Sequence, residues 1–402
     1  MPPRTVSIIT EAGAFGGSVV HTYGVIEALV RRGCRVEVVA NHFDPYTEWV
    51  AARSWGQRVH VIPTRLAGIT PEVPVDLTGW KTTLETLSGE LLIFPKGHHT
   101  HGQLGFLRLC RRKFRKVAFI EHLEAPPKPV ASARPWLGII PRLGLPWRRR
   151  RRRQQLAASL ADCIIAVSSK VRERLVQDWG APADSIVVVR NGVRWQSFER
   201  DPAAGQRFRA AQGIEPSVFT FGMLTRLTKV KGIDLALHAL RRLRDLAPLR
   251  DYCLVIAGEG PDHDALVALA GELELGRHAR FVGPVSQPLE ALSGFDVILF
   301  ASRFEGLPLA LLEGMAAGCI PVVTEVGGMG EAVDSNDIGW LVPPENAVAL
   351  AAAMHQSLSL DVARMAALRE NVVRRVRREF DGDSCYERIL DLCGVPGPGQ
   401  EH

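Results

Sequence analysis

The chain has 402 residues, 46 % of them apolar and 23 % charged, the mix of a globular protein of two or three domains, which excludes a disordered, collagen-like or coiled-coil chain. Its net charge of +6 comes from 49 basic and 43 acidic residues, and the single run Arg148–Arg153 holds the whole excess, unlike the spread of charge in a basic nucleic-acid binder. No apolar run approaches the roughly 20 residues of a membrane-spanning helix, no signal peptide is read before Val6, and seven scattered cysteines with no CxxC pair fit a reducing cytosol.

Along the chain, short β-rich runs alternate with amphipathic stretches. Val6–Thr10 reads as a strand, His21–Arg32 as a helix and Val36–Ala40 as a strand. Further strands are read at Leu91–Pro95, Val117–Glu121, Cys163–Val167 and Ile186–Arg190, with a Pro- and Gly-rich loop at Pro126–Pro146. A second series follows, with strands at Val218–Leu224, Tyr252–Ala257, Arg280–Val282, Val297–Phe300 and Pro321–Thr324. Helices are read between them at Ile233–Arg244, His263–Glu274, Leu309–Ala317 and Ala347–Ser357. Such alternation implies βαβ units and parallel sheets. Two series imply an α/β chain of two doubly wound, Rossmann-like domains, 1–195 and 196–380, linked near Trp195–Pro216.

Open parallel sheets bind ligands at the carboxyl ends of their strands, so the loops there carry the chemistry. The segment SRFEGLPLALLEGMAAGCIPVV, Ser302–Val323, runs from a strand end into a helix. Pro308 suits the first helical position, which leaves the Leu309 and Ala310 amides free for an anion, aided by the helix dipole. Glu305 precedes that helix and Glu313 lies inside it. Read alone, they fit better as a capping and a solvated glutamate, although a helix rich in apolar residues makes a solvated Glu313 less obvious. In Gly222–Gly232, Arg226, Lys229 and Lys231 follow a strand and can hold a diphosphate, Arg as a planar fork and Lys as a point charge. A solvated basic turn is the plainer alternative.

Gly16 and Gly17 follow the first strand and permit close backbone approach, although neither GxGxxG nor a P-loop is present. His122 sits at a strand's carboxyl end. His98, His99 and His101 also end a strand, and as loop residues they make a weak metal site. The triplets Asp262–Asp264 and Asp381–Asp383 read better as helix caps than as metal-binding DxD motifs.

In this order, the Gly16–Gly17 loop, the Arg226–Lys231 segment and the Glu305–Glu313 motif resemble the retaining GT-B glycosyltransferases of family GT4. Further matches are Ala161-Asp-Cys-Ile-Ile-Ala-Val-Ser168, Val189-Arg-Asn-Gly-Val193, Phe281-Val-Gly-Pro-Val285, Phe295-Asp296 and Gly327-Gly328 with Glu331. Gly314-Met-Ala replaces the frequent Ala-Met-Ala, and Met329-Gly330-Glu331 the frequent Pro-Glu. Neither touches the charge pattern.

The resemblance implies two domains facing across a cleft, with the last segment, 381–402, crossing back to the first. It implies sugar transfer from a nucleotide-sugar donor to an acceptor hydroxyl, with no metal and no cofactor. A UDP-sugar is favoured over a GDP-sugar. Gly16 and Gly17 would approach the donor, Arg226 and Lys231 its diphosphate, and the Leu309 and Ala310 amides, beside Gly306, a phosphate. Glu313 would hold the ribose and Val285 would flank the base. Glu305 and His122, at the transferred sugar, are the candidate catalytic residues. A departing diphosphate gains negative charge, which fixed cations and a helix N-terminus stabilise.

The acceptor would be a glycan, a lipid-linked sugar or a small natural product. Arg148, Arg149, Arg150, Arg151, Arg152 and Arg153, read as lying just before a helix, with Trp147 and Trp136 near, suggest an anionic membrane surface and a cytoplasmic enzyme at the inner face. A solvated basic helix start is the alternative. Nucleic acid is not an expected partner. Rival readings are a sugar-nucleotide epimerase of the same fold and a non-catalytic nucleotide-sugar binder.

Overall fold

The structure is a computed structural model that describes residues 4–11, 16–67, 74–97, 102–123 and 144–397. The chain divides into two compact units. The first runs to Arg190 and takes back the segment from Asp383; the second is Asn191–Gly382.

The first unit's strands are Thr5–Glu11 (β1), Arg35–Asn41 (β2), Val59–Thr64 (β3), Leu91–Lys96 (β4), Lys116–Glu121 (β5), Cys163–Ala166 (β6) and Ile186–Val188 (β7). They form one parallel sheet in the order β3-β2-β1-β4-β5-β6-β7. Strands covered on both faces read as continuous apolar runs, as in the wholly buried Leu91–Lys96.

The second unit's strands are Phe219–Leu224 (β8), Tyr252–Ala257 (β9), Ala279–Gly283 (β10), Val297–Phe300 (β11), Ile320–Thr324 (β12) and Trp340–Val342 (β13). They lie parallel in the order β10-β9-β8-β11-β12-β13. In each unit the strand order reverses at one place, between β1 and β4 and between β8 and β11. Such a reversal opens a crevice at the carboxyl ends. Gly16–Gly17 follow β1, Arg226 follows β8 and Glu305 follows β11.

The division differs from the expected linker. Trp195–Pro216 belongs to the second unit, where Asp201 caps the helix Pro202–Ala211 by accepting from the Ala204 amide. Gly205 lets that helix lie against the backbone of Ser293 and Gly294. The helix Gly382–Leu392 carries the chain into the first unit. Arg31 pairs there with Asp383 at 2.9 Å, and Arg32 with Asp391 at 2.7 Å and Glu387 at 2.6 Å.

The helix Gly144–Ala158 contains the arginine run rather than following it. Arg149, Arg152 and Arg153 are exposed. The side chains of Trp147, Arg148 and Arg150, and all of Trp136, lie outside the described residues, as do His98, His99 and His101. Among the described residues no helix is long and apolar enough to cross a membrane.

Candidate functional site

In the second unit, two loops meet at the β8/β11 reversal. Gly232 has φ 63°, and a Cβ there would lie 1.9 Å from the Ala301 carbonyl oxygen. Only glycine lets the Lys231 turn come that close to the end of β11. Lys231 Nζ consequently reaches Glu305 Oε1 at 2.7 Å, and Ser302 Oγ donates to the same oxygen at 2.8 Å. Glu305 is 3 % exposed, and Lys231 and Ser302 supply the polar partners that a buried carboxyl group needs.

The Glu305 loop is fixed from several sides. Thr324 Oγ1 donates to the Ser302 carbonyl at 2.7 Å. Arg303 grips Asp234 with both terminal nitrogens, each at 2.8 Å, and holds Glu345 through Nε. That fork holds the Asp234 carboxyl below its ordinary value. Behind the loop, Gly327 has φ 53°, and a Cβ there would meet the Glu305 and Gly306 carbonyl oxygens at 2.4 Å.

The helix that follows is Leu309–Ala316. Pro308 is its N-cap, with ψ 129°, rather than its first helical residue. Its carbonyl accepts from the Leu311 and Leu312 amides, so those of Leu309 and Ala310 precede the first intrahelical bonds. Glu313 is buried on this helix, and burial pushes its carboxyl up to about 7. Neither the capping Glu305 nor the solvated Glu313 describes these residues.

Arg226 is exposed beyond β8, and Val285 is half-buried after β10. The second unit also has an open pocket of about 930 Å³ lined by residues that include Arg209, Asp251 and Asp296. Those residues lie before or at the starts of β8, β9 and β11, the opposite edge from the Glu305 loop.

In the first unit, Gly16 caps the helix Gly17–Arg31, and a Cβ on Gly16 or Gly17 would meet nothing within 4 Å. His122 follows β5 and is 7 % exposed; burial drives its imidazole down to about 4. Its Nε2 has no hydrogen-bond partner among the described residues. Lys96 and Glu121, paired in register on β4 and β5, form a buried ion pair of 2.6 Å.

Asp262 occupies the N-cap position of the helix His263–Glu272, but its side chain makes no capping bond. Asp264 instead accepts from His263 at 2.8 Å, and Asp383 pairs with Arg31. Among the described residues no group of three or more His, Cys, Asp or Glu could hold a metal ion.

Ser302, Arg303 and Lys96 went unread in the sequence. A lysine closing the apolar run Leu91–Lys96 is the one local signal among them.

Family models match in two blocks, Glycosyltransferase Family 4 over residues 15–195 and Glycosyl transferases group 1 over 206–378. The chain belongs to glycosyltransferase family 4. It is 32 % identical over 227 residues to a glycogen synthase of Mycobacterium tuberculosis, covering 55 % of this chain and 51 % of that protein. It is 29 % identical over 249 residues to a D-inositol 3-phosphate glycosyltransferase of Rhodococcus opacus, covering 59 % and 54 %. These alignments span about half the length of each relative.

Among solved structures, a glycosyltransferase from Rickettsia africae superposes with TM-score 0.76 at 18 % identity, over 98 % of this chain and 99 % of that one. Anabaena HepE, solved in complex with UDP and glucose, superposes with TM-score 0.73 at 17 % identity, over 98 % and 100 %. The family 4 chain thus has the GT-B fold, two Rossmann-like domains built on parallel sheets.

Proposed function

We propose that this chain is a retaining glycosyltransferase that moves a sugar from a nucleoside-diphosphate sugar to an acceptor hydroxyl, without a metal ion or other cofactor. The observation that carries the reading is the Lys231–Glu305 pair at the carboxyl ends of β8 and β11. The exposed Arg226 follows β8, and the helix Leu309–Ala316, which carries the buried Glu313, follows the Glu305 loop.

In the reaction the bond from C1 to the diphosphate oxygen breaks, and the acceptor oxygen bonds C1 on the same face. The acceptor's proton passes to the departing phosphate oxygen. Arg226, Lys231 and the Leu309 and Ala310 amides stabilise the charge left on the diphosphate. Glu313 accepts from the ribose hydroxyls, Val285 flanks the base, and Gly16, Gly17 and Gly306 give the donor backbone-close room. His122 contacts the transferred sugar. Glu305, tied to Lys231 and Ser302, orients the Lys231 cation beside that sugar. A UDP-sugar is the favoured donor, and the UDP in HepE supports the choice.

The test is thermal unfolding with UDP, GDP, ADP and TDP and their common sugars, then product analysis by NMR in EDTA. A ligand at 100 times its Kd adds about 2.7 kcal/mol. Expected are a selective shift with one nucleotide and a product of unchanged anomeric configuration. An inverted product overturns retention, and loss of turnover in EDTA overturns metal independence. A donor interconverted with no acceptor present marks an epimerase, and a bound donor never turned over marks a non-catalytic binder.

A further inference from the structure

His122 is one member of a row of three rings inside the first unit. His21 lies on Gly17–Arg31 and is 0 % exposed. Its ring stands edge to face with His122, centroids 4.6 Å apart and planes at 76°. On its other side Tyr386, from the returning helix Gly382–Leu392, packs at 5.3 Å and 73°. Gly24, one turn beyond His21, makes room for it, since a Cβ there would lie 2.0 Å from Tyr386 Cζ.

Space-filling does not account for His21. Phenylalanine would fill the place with no polar atom to bury. Among the described residues both His21 nitrogens lack a hydrogen-bond partner, as does His122 Nε2. A buried polar atom without a partner lowers stability, and three such nitrogens sit on two touching rings. Burial and the neighbouring His122 hold His21 well below its ordinary value, so both imidazoles are neutral. A neutral imidazole offers one donor and one acceptor, which suits a hydroxyl-rich guest such as a pyranose.

We propose that His21 is a positioning residue for the sugar pocket, backing His122 with a polar ring so that His122 Nε2 is presented to a sugar hydroxyl. The inference rests on the reading that His122 contacts the transferred sugar. Tyr386 seats His21 from behind.

The test compares His21→Phe, His21→Gln and His122→Ala in the whole chain. The probe is the nucleotide sugar giving the largest thermal shift, UDP-glucose first, with turnover followed as release of the nucleoside diphosphate. His21→Phe removes two unpartnered nitrogens, so its Tm is expected to equal or exceed the parent's while kcat falls at least tenfold. Affinity for the free nucleoside diphosphate is expected to stay within twofold. His21→Gln, which keeps a donor and an acceptor, is expected to retain more kcat than His21→Phe.

Parental kcat in His21→Phe, or a better kcat there than in His21→Gln, overturns the inference and leaves His21 a packing residue. If His21→Phe fails to fold, His21→Gln decides: parental Tm with kcat lowered less than about tenfold supports the role, and lowered Tm with parental kcat overturns it. Full turnover in His122→Ala overturns the reading of His122 and the inference with it, whereas impaired His122→Ala beside parental His21→Phe overturns the inference alone.

Discussion

Lys231 Nζ and Glu305 Oε1 stand 2.7 Å apart across 74 residues of sequence, so the Lys231 cation is already held by a carboxylate of its own chain. Glu305 is nearly inaccessible, and the Lys231 side chain is 24 % exposed. Removing one partner of a buried pair costs about 3–5 kcal/mol, and the partial exposure of Lys231 brings this to about 2 kcal/mol. Lys231→Met is expected to lose that stability in urea unfolding, and Lys231→Met with Glu305→Gln to regain most of it. Equal midpoints for single and double variants would show that the pair carries no coupling.

Arg226 behaves differently because it is exposed and no bond from its guanidinium is made among the described residues. Arg226→Ala is expected to unfold within about 0.5 kcal/mol of the parent without ligand. The thermal shift produced by the matching nucleoside diphosphate is expected to shrink by most of its size. An undiminished shift would remove Arg226 from the anion site.

Glu313 gives the second unit a pH dependence with a definite sign. Its folded carboxyl sits at about 7 through burial, above the ordinary glutamate value of 4.5. Between those values the unfolded chain releases a proton that the folded chain retains, so stability falls as pH rises through that window. The full effect is on the order of 3 kcal/mol. Glu313→Gln is expected to match the parent near pH 4.5 and to exceed it at pH 8. Parallel unfolding curves at both pH values would refute the assignment.

In the helix Gly144–Ala158 the arginine run sets like charges three and four residues apart, which is slightly unfavourable. A use for Arg149, Arg152 and Arg153 at an anionic bilayer would offset that. At about 1 kcal/mol per cation near such a surface, changing all three to Gln is expected to weaken binding to phosphatidylserine vesicles by about a hundredfold. Unchanged vesicle binding would end the membrane reading.

Strands such as Tyr252–Ala257 and Val297–Phe300 were legible because both faces are buried and the apolar run is continuous. Val59–Thr64 was not read. As an edge strand it alternates exposed His60 with buried Val59 and contains Pro63. Trp340–Val342 is only three residues long. Pro202–Ala211 was mistaken for linker because its Pro and Gly obscured the signal of Asp201 before a proline-led helix. Glu305, Arg226 and Lys231 were legible as residue types at strand ends, and Glu313 as a glutamate inside an apolar helix. The contact of Lys231 with Glu305 was not, because a bond across such a separation depends on Gly232 and Ala301 meeting. His21 left no signal, since one histidine in an amphipathic helix looks like any other.

The return of Gly382–Leu392 to the first unit also sets an order of events during synthesis. Tyr386 and the acidic partners of Arg31 and Arg32 leave the ribosome only after all of Asn191–Gly382 has been made. At roughly 5–20 residues per second, that interval lasts on the order of 10–40 s. Through it, the groove beside Gly24 stays uncovered and His21 lacks its backing ring. The second unit, contiguous in sequence, can finish folding first, and the older half of the nascent chain waits for the youngest.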